Sequence, residues 1–141
     1  MVNVKQVMST SCQTLKPEDN VYQAAVLMKE QGIGFVPIVD QGRVVGAVTD
    51  RDIVVRGVAA KQPNSASLKE VMSQQIVSVN SAMSSEEAAQ VMSEHQVRRL
   101  PVIDGDQLVG IISLGDLAIR TPGVHEAGQA LSEISESPYI Q

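Results

Sequence analysis

The sequence predicts an α/β fold, an α+β sandwich of two tandem β-α-β-β-α repeats, and three observations carry that prediction. The first is a duplication. The stretch from Val97 to Asp116 repeats, without a gap, a pattern that stands 64 residues earlier. Pro37 maps to Pro101, Asp40 to Asp104, Gly46 to Gly110, Thr49 to Ser113 and Asp52 to Asp116, and at the same offset Val7-Met8-Ser9 meets Val71-Met72-Ser73. The second is a pair of short apolar runs in each copy, joined by Asp40-Gln41-Gly42 or Asp104-Gly105-Asp106, the turn chemistry that links antiparallel strands. The third is helical spacing, with Ala24, Ala25 and Met28 matched by Ala88, Ala89 and Met92.

Taken in order, Val2 to Met8 is short and mildly amphipathic, and Ala66 to Met72 repeats it, so each is read as one or two helical turns leading into a copy. Cys12 to Leu15 and Ile76 to Val79 read as short strands. Asn20 then caps a helix, with Glu18 and Asp19 near its positive end, and Ser84 or Ser85 caps the counterpart. The Met positions read as core filling rather than a cofactor box. Gly32 and Gly34 end the first helix, whereas the second runs through Gln96 into Val97 with no glycine.

Val36 to Val39 and Leu100 to Ile103 open the two hairpins. Their partners, Val44 to Val48 and Leu108 to Ile112, are continuously apolar around one glycine and read as strands buried on both faces. Thr49-Asp50-Arg51-Asp52 and Ser113-Leu114-Gly115-Asp116 each open a helix, where unpaired backbone N–H groups and the dipole favour an anion. Ile53 to Val58 and Leu117 to Ile119 continue those helices, and Gly57 or Pro122-Gly123 stops them. Lys61 to Ser67 reads as the linker. The expected domains are repeat 1 at 1–63, repeat 2 at 64–123 and a tail at 124–141, a short helix and then a frayed end that the fold can lose.

With 141 residues the chain can bury about 70% of its extended surface, whereas a copy of ~60 residues is marginal alone. The copies are therefore expected to share a core. Hydrophobic residues at 43% and charged residues at 19% fit a globular protein. The net charge of −5 and a pI near 4.9 argue against nucleic acid or an anionic membrane as partner, and three aromatic side chains offer no stacking platform. No apolar run is long enough to span a bilayer and no signal-peptide pattern opens the chain, so a cytoplasmic location is expected. The lone Cys12 excludes an internal disulfide and reads as a small apolar residue rather than a nucleophile, leaving open a bridge between two subunits.

The order strand, helix, strand, strand, helix, with Leu100-Pro101-Val102-Ile103-Asp104 and then Gly110-Ile111-Ile112-Ser113-Leu114-Gly115-Asp116, resembles the cystathionine beta-synthase (CBS) domain. Two in tandem resemble the CBS pair, or Bateman module, over residues 1 to about 123. The resemblance implies pseudo-two-fold symmetry and two clefts of the kind that hold AMP, ADP, ATP or another adenosyl compound. It places Thr49 and Asp52, and Ser113 and Asp116, at ribose and phosphate; Arg98 and Arg99 at phosphate; and Ile76 and Val77 beside adenine. In the first copy Gly34 and Phe35 replace the two arginines, with Arg51 as the partial substitute, so the second cleft is expected to bind the nucleotide more tightly. The resemblance also implies a homodimer, packed through the helices Ile53-Val54-Val55 and Leu117-Ala118-Ile119.

Each of these assignments has a plainer alternative. Ser/Thr-x-x-Asp at a helix start is by itself a cap, and it is the recurrence in both copies that leans toward a ligand. Arg98 and Arg99 are adjacent on a strand and point to opposite faces, so one of them turns toward the cleft. His95 at a helix end reads as a dipole partner, and Arg56 and Arg120 as helix C-terminal charges. His95, His125 and Cys12 have no metal-ligand spacing. No general base stands by a nucleophile, no Gly-rich phosphate loop is present, and Asp52 and Asp116 occur one per copy. The expectation is a regulatory, non-enzymatic module without a cofactor, which binds an adenine nucleotide and signals to a regulated protein. The alternative is a dimeric scaffold whose clefts stay empty.

Overall fold

The computed structural model describes residues 2–120. The Pro122-Gly123 stop and the tail expected at 124–141 lie outside the described residues. The elements are α1 (Val4–Val7), α2 (Val21–Gln31), β1 (Phe35–Asp40), β2 (Arg43–Thr49), α3 (Asp50–Asp52) running into a π-helix (Ile53–Val58), a 3-10 turn (Leu68–Glu70), α4 (Ser85–His95), β3 (Arg99–Asp104), β4 (Gln107–Ser113) and α5 (Leu114–Arg120). This is an α+β fold with an antiparallel hairpin in each repeat, β1 with β2 and β3 with β4.

The repeats at 1–63 and 64–123 are units of sequence, and the units of space are cut differently. One compact unit joins the residues up to Cys12 to those from Val77 onward, and the other is Gln13–Ile76. The leading segment of each repeat therefore belongs to the unit built on the other repeat's hairpin. Among the described residues the buried side chains form two core clusters in place of one shared core. Val4 and Val7 pack with Val79, Ala88, Met92, Leu100, Val102, Ile112 and Leu117. Leu68 and Val71 pack with Val21, Ala24, Met28, Val36, Ile38 and Val48. Met28 and Met92 fill the cores, as their spacing predicts.

Backbone pairing fixes the leaders. Ser9 exchanges two hydrogen bonds with Ile111, each 2.8 Å, and Ser73 exchanges two with Ala47, each 2.9 Å. Both pairs lie over a glycine. A Cβ on Gly46 would sit 2.5 Å from the Ser73 carbonyl oxygen, and one on Gly110 would sit 2.7 Å from that of Ser9. Beside each glycine the strand register slips, between Ile38 and Val39 and between Val102 and Ile103, the signature of a bulge that re-aims the strand.

The strands expected at Cys12–Leu15 and Ile76–Val79 shrink to single parallel bridges, Leu15 with Ile38 and Val79 with Val102. The reason is proline. Leu15 donates to the Pro37 carbonyl at 3.2 Å and accepts from Val39 at 2.8 Å; the next rung would need an N–H on Pro37, or on Pro17 at the other end, and neither has one. Pro101 stops the second ladder likewise, and at its far end the Ser81 N–H turns to the Asp104 carboxylate, 2.9 Å away.

Helix α2 starts on a closed capping box, Asn20 with Gln23, and α4 on Ser84 with Glu87. Gly32 ends α2 in the left-handed region, φ 64°, whereas α4 ends on Gln96 in the same conformation, φ 55°. The segment 61–67, expected to be a linker, is tied down: Asn64 and Ala66 carbonyls accept from Tyr22 and Val21, both at 2.9 Å, and the Ser67 hydroxyl donates to the Pro17 carbonyl at 2.7 Å. Those carbonyls satisfy the first amides of α2, which lack partners within the helix. Gly57 does not stop a helix either. It is buried inside the π-helix, where a Cβ would touch Val71 at 3.7 Å.

Asp104 sits where β3 meets the leader. The Ser81 hydroxyl donates to it at 2.6 Å, and Lys5, whose N–H reaches the Ser81 carbonyl at 3.0 Å, adds a nearby positive charge. The Ser81 hydroxyl, the Ser81 N–H and, less, the Lys5 charge hold the Asp104 carboxyl below the usual carboxylate range.

Gly46→Ala and Gly110→Ala are each expected to destabilise the protein by about 1–3 kcal/mol, since a backbone carbonyl must move to admit the methyl. Gly115→Ala, whose Cβ meets nothing nearer than the Ser113 hydroxyl at 3.6 Å, is expected to be tolerated; urea denaturation of the three variants checks this. A second expectation concerns pH. Because folding lowers the Asp104 pKa, its contribution is present above the ordinary carboxylate range and is lost as pH falls through the folded value. The difference in urea midpoint between the native protein and Asp104→Asn is therefore expected to be largest near neutral pH and to vanish in acid.

Candidate functional site

The two motif ends are built alike, and each lies inside one unit. In the first unit described, Arg99 opens β3 directly across from Ser113, the last residue of β4, so the two side chains share a face of the hairpin. The Arg98 carbonyl accepts from the Leu114 N–H at 2.9 Å, which pins the entry of β3 to the start of α5. The Ser113 N–H donates to Asp116 Oδ2 at 2.9 Å, and the Asp116 N–H donates to the Ser113 hydroxyl at 3.0 Å. The capping role is thus realised, with aspartate closing the box.

The cap leaves chemistry unused. It occupies one oxygen of Asp116 and only the acceptor side of the Ser113 hydroxyl; among the described residues Asp116 Oδ1 and the Ser113 O–H take no partner. Ser113 and Asp116 are half-buried, and Arg98 and Arg99 are both exposed. A fixed carboxylate oxygen and a hydroxyl at the end of a hairpin that also carries two arginines can accept from a diol and meet an anion.

In the other unit the Thr49 N–H donates to Asp52 Oδ2 at 2.9 Å and the Asp52 N–H to Thr49 Oγ1 at 3.1 Å, closing the same box. Phe35 stands across from Thr49, and the Gly34 carbonyl accepts from Asp50 at 3.0 Å. Arg51 is exposed, with its N–H donating to Asp50 Oδ1 at 2.8 Å. Ile76 closes this unit and Val77 opens the other, both half-buried.

Several residues weighed in the sequence have structural duties. Arg56 donates through Nη1 to the Met72 carbonyl at 3.1 Å, steadying a leader. His95 lies exposed in the last turn of α4. Burial pushes the Cys12 thiol up, which disfavours the reactive thiolate. Leu117, expected on a dimer face, is 2% exposed and part of the core. Among the described residues no group of three His, Cys, Asp or Glu side chains could hold a metal ion, and no helix is long and apolar enough to cross a membrane.

Sequence reasoning passed over Asp50. A Cβ on Gly34 would lie 2.7 Å from Asp50 Oδ2, so this carboxylate rests over the glycine that stands where the other copy has Arg98. The signal was present in the 64-residue offset, which sets Asp50 against Leu114.

A family model described as CBS domain matches residues 4–57 and again 68–121. The CBS domain-containing protein YhcV of Bacillus subtilis (strain 168) is 44% identical over 135 residues, which is 96% of each chain. Among solved structures, the CBS domain pair of protein MJ0100 in complex with 5′-methylthioadenosine and S-adenosyl-L-methionine is 26% identical with a TM-score of 0.72, over 84% of this chain and 94% of that one. CBSX2 in complex with AMP is 25% identical with a TM-score of 0.74, over 92% and 98%.

Proposed function

Because the chain belongs to the CBS domain family, with two copies of the domain in tandem, we propose that it is a regulatory module that binds an adenine nucleotide and passes its occupancy to a regulated protein. The observation that carries this reading is the place of Arg99 opposite the Ser113–Asp116 box, with Arg98 beside it, the second carboxylate oxygen of the box taking no partner among the described residues. Asp116 Oδ1 accepts from a ribose hydroxyl, the Ser113 hydroxyl and one of the two guanidinium groups meet phosphate, and Val77 borders adenine; Thr49, Asp52 and Arg51 form the weaker counterpart. The relatives bound to AMP and to adenosyl compounds support the ligand class. AMP, ADP and ATP all fit this chemistry. Nothing in the box supplies a nucleophile with its base, so the module acts by binding rather than catalysis.

The reading includes a homodimer. Val54, Val55 and Val58 on the π-helix are 59%, 47% and 69% exposed, an apolar strip that association would cover. The same strip favours the second reading, a dimeric scaffold whose motif sites stay empty.

A nucleotide at about 100 times its dissociation constant stabilises a fold by about 2.7 kcal/mol, here a rise in Tm of roughly 5–10 °C. Asp116→Ala is expected to remove most of the rise with AMP, Asp52→Ala to keep most of it, and Arg98→Ala with Arg99→Ala to cost more for ATP than for adenosine. Differential scanning fluorimetry reads all three. Equal loss from the two aspartate variants overturns the ranking of the copies, and no shift with any adenosyl compound favours the scaffold. Sedimentation at micromolar concentration is expected to show a dimer that Val55→Asp dissociates; a native monomer overturns that part of the reading.

A further inference from the structure

We infer that the two copies of the motif select ligands of opposite charge: the first takes an adenosyl compound whose 5′ substituent is uncharged or cationic, and Asp50 sets that preference. This rests on the reading that the motif holds an adenosyl ligand, and it goes further by assigning a ligand class to the copy that lacks the arginine pair.

The two motif ends share one backbone. The Asp50 N–H reaches the Gly34 carbonyl at 3.0 Å and the Leu114 N–H reaches that of Arg98 at 2.9 Å, and the two boxes close with the same atoms. Against that common frame two side-chain positions exchange roles. Leu114, 7% exposed, is part of the core, and Arg98 beside it is exposed. Asp50 cannot enter an apolar core with its charge and stays exposed, with Oδ2 lying 2.7 Å from where a Cβ on Gly34 would be. In this position the carboxylate occupies the space that a side chain at residue 34 would enter. Gly34 with Asp50 and Arg98 with Leu114 thus occupy the same two positions of the motif, and the two pairs carry opposite charges.

The second strand position agrees. Arg99, opposite Ser113, is exposed and charged, whereas Phe35, opposite Thr49, is half-buried and apolar. Counting Arg51, the residues at these positions carry a formal charge of zero in the first copy (Asp50, Arg51) and plus two in the second (Arg98, Arg99); with the box aspartates Asp52 and Asp116 included the totals are minus one and plus one. The box that would meet ribose is identical in kind, Thr49 with Asp52 against Ser113 with Asp116. The copies therefore agree on the sugar and disagree on what is attached to its 5′ carbon: a phosphate dianion meets a carboxylate in the first copy, while an ammonium or a neutral group does not.

The test is calorimetric titration of the full chain with two probes, AMP and 5′-amino-5′-deoxyadenosine, which share the nucleoside and differ in charge at the 5′ position. AMP is expected to fill one site per chain and to lose it in Asp116→Ala. The amine is expected to fill a different site, unaffected by saturating AMP and lost in Asp52→Ala. Asp50→Leu, a change at an exposed position checked by circular dichroism and unfolding midpoint, is expected to weaken the amine about tenfold. Adding Gly34→Arg to it is expected to give a second AMP site. If AMP fills both native copies with similar affinity, if the amine binds neither, or if Asp50→Leu leaves the preference unchanged, the assignment falls while nucleotide binding at Ser113 and Asp116 stands. If neither probe binds, the proposed function falls and takes this inference with it.

Discussion

The structure depends on two backbone pairs, Ser9 with Ile111 and Ser73 with Ala47, made possible because Gly46 and Gly110 present no side chain to the carbonyl above them. Everything near the motif follows from that contact. It seats Val4 and Val7, or Leu68 and Val71, in the core, and it lets the carbonyls of Val2 and Ala66 meet the first amides of α4 and α2 at 2.9 Å. It also anchors the strands whose last residues, Ser113 and Thr49, begin the capping boxes. A glycine three residues before each box thus governs where the box is held.

The boxes answer a question that the sequence leaves open. A carboxylate that caps a helix and a carboxylate that binds a diol look like rival assignments, yet Asp116 and Asp52 each spend one oxygen on the cap. The cap fixes the side-chain rotamer, so that under the proposed reading less entropy is lost on binding. Holding the fold and presenting an acceptor are one geometry.

Much of this was legible in the sequence because the duplication supplies its own control. The hairpins, the caps at Asn20 and Ser84, the left-handed end at Gly32 and the core methionines all follow from residue chemistry read twice. What was not legible depended on partners distant in sequence. The strand runs at 12–15 and 76–79 look competent until Pro37 and Pro101 are placed opposite them, and the polar stretch 61–67 looks like a tether until its carbonyls meet α2. Apolar Ile53–Val58 gives no sign that its hydrogen bonds run one residue wider than in an α-helix. Arg98, Arg99, Ser113 and Asp116 were singled out through the resemblance and the offset together. Asp50 was missed because its meaning lies in the absence of a side chain at Gly34.

The exchange of leading segments has a consequence for how such a chain can come apart or come together. A break between residues 58 and 67 separates the repeats in sequence, but each half then carries the other's missing piece, since Met1–Cys12 belongs with the second hairpin and residues 65–73 with the first. A polypeptide holding one repeat of this design would complete its unit by trading leaders with a second copy, a bimolecular step. The covalent join makes that step intramolecular, at the millimolar effective concentration of a short tether. Duplication here turns an association into a fold.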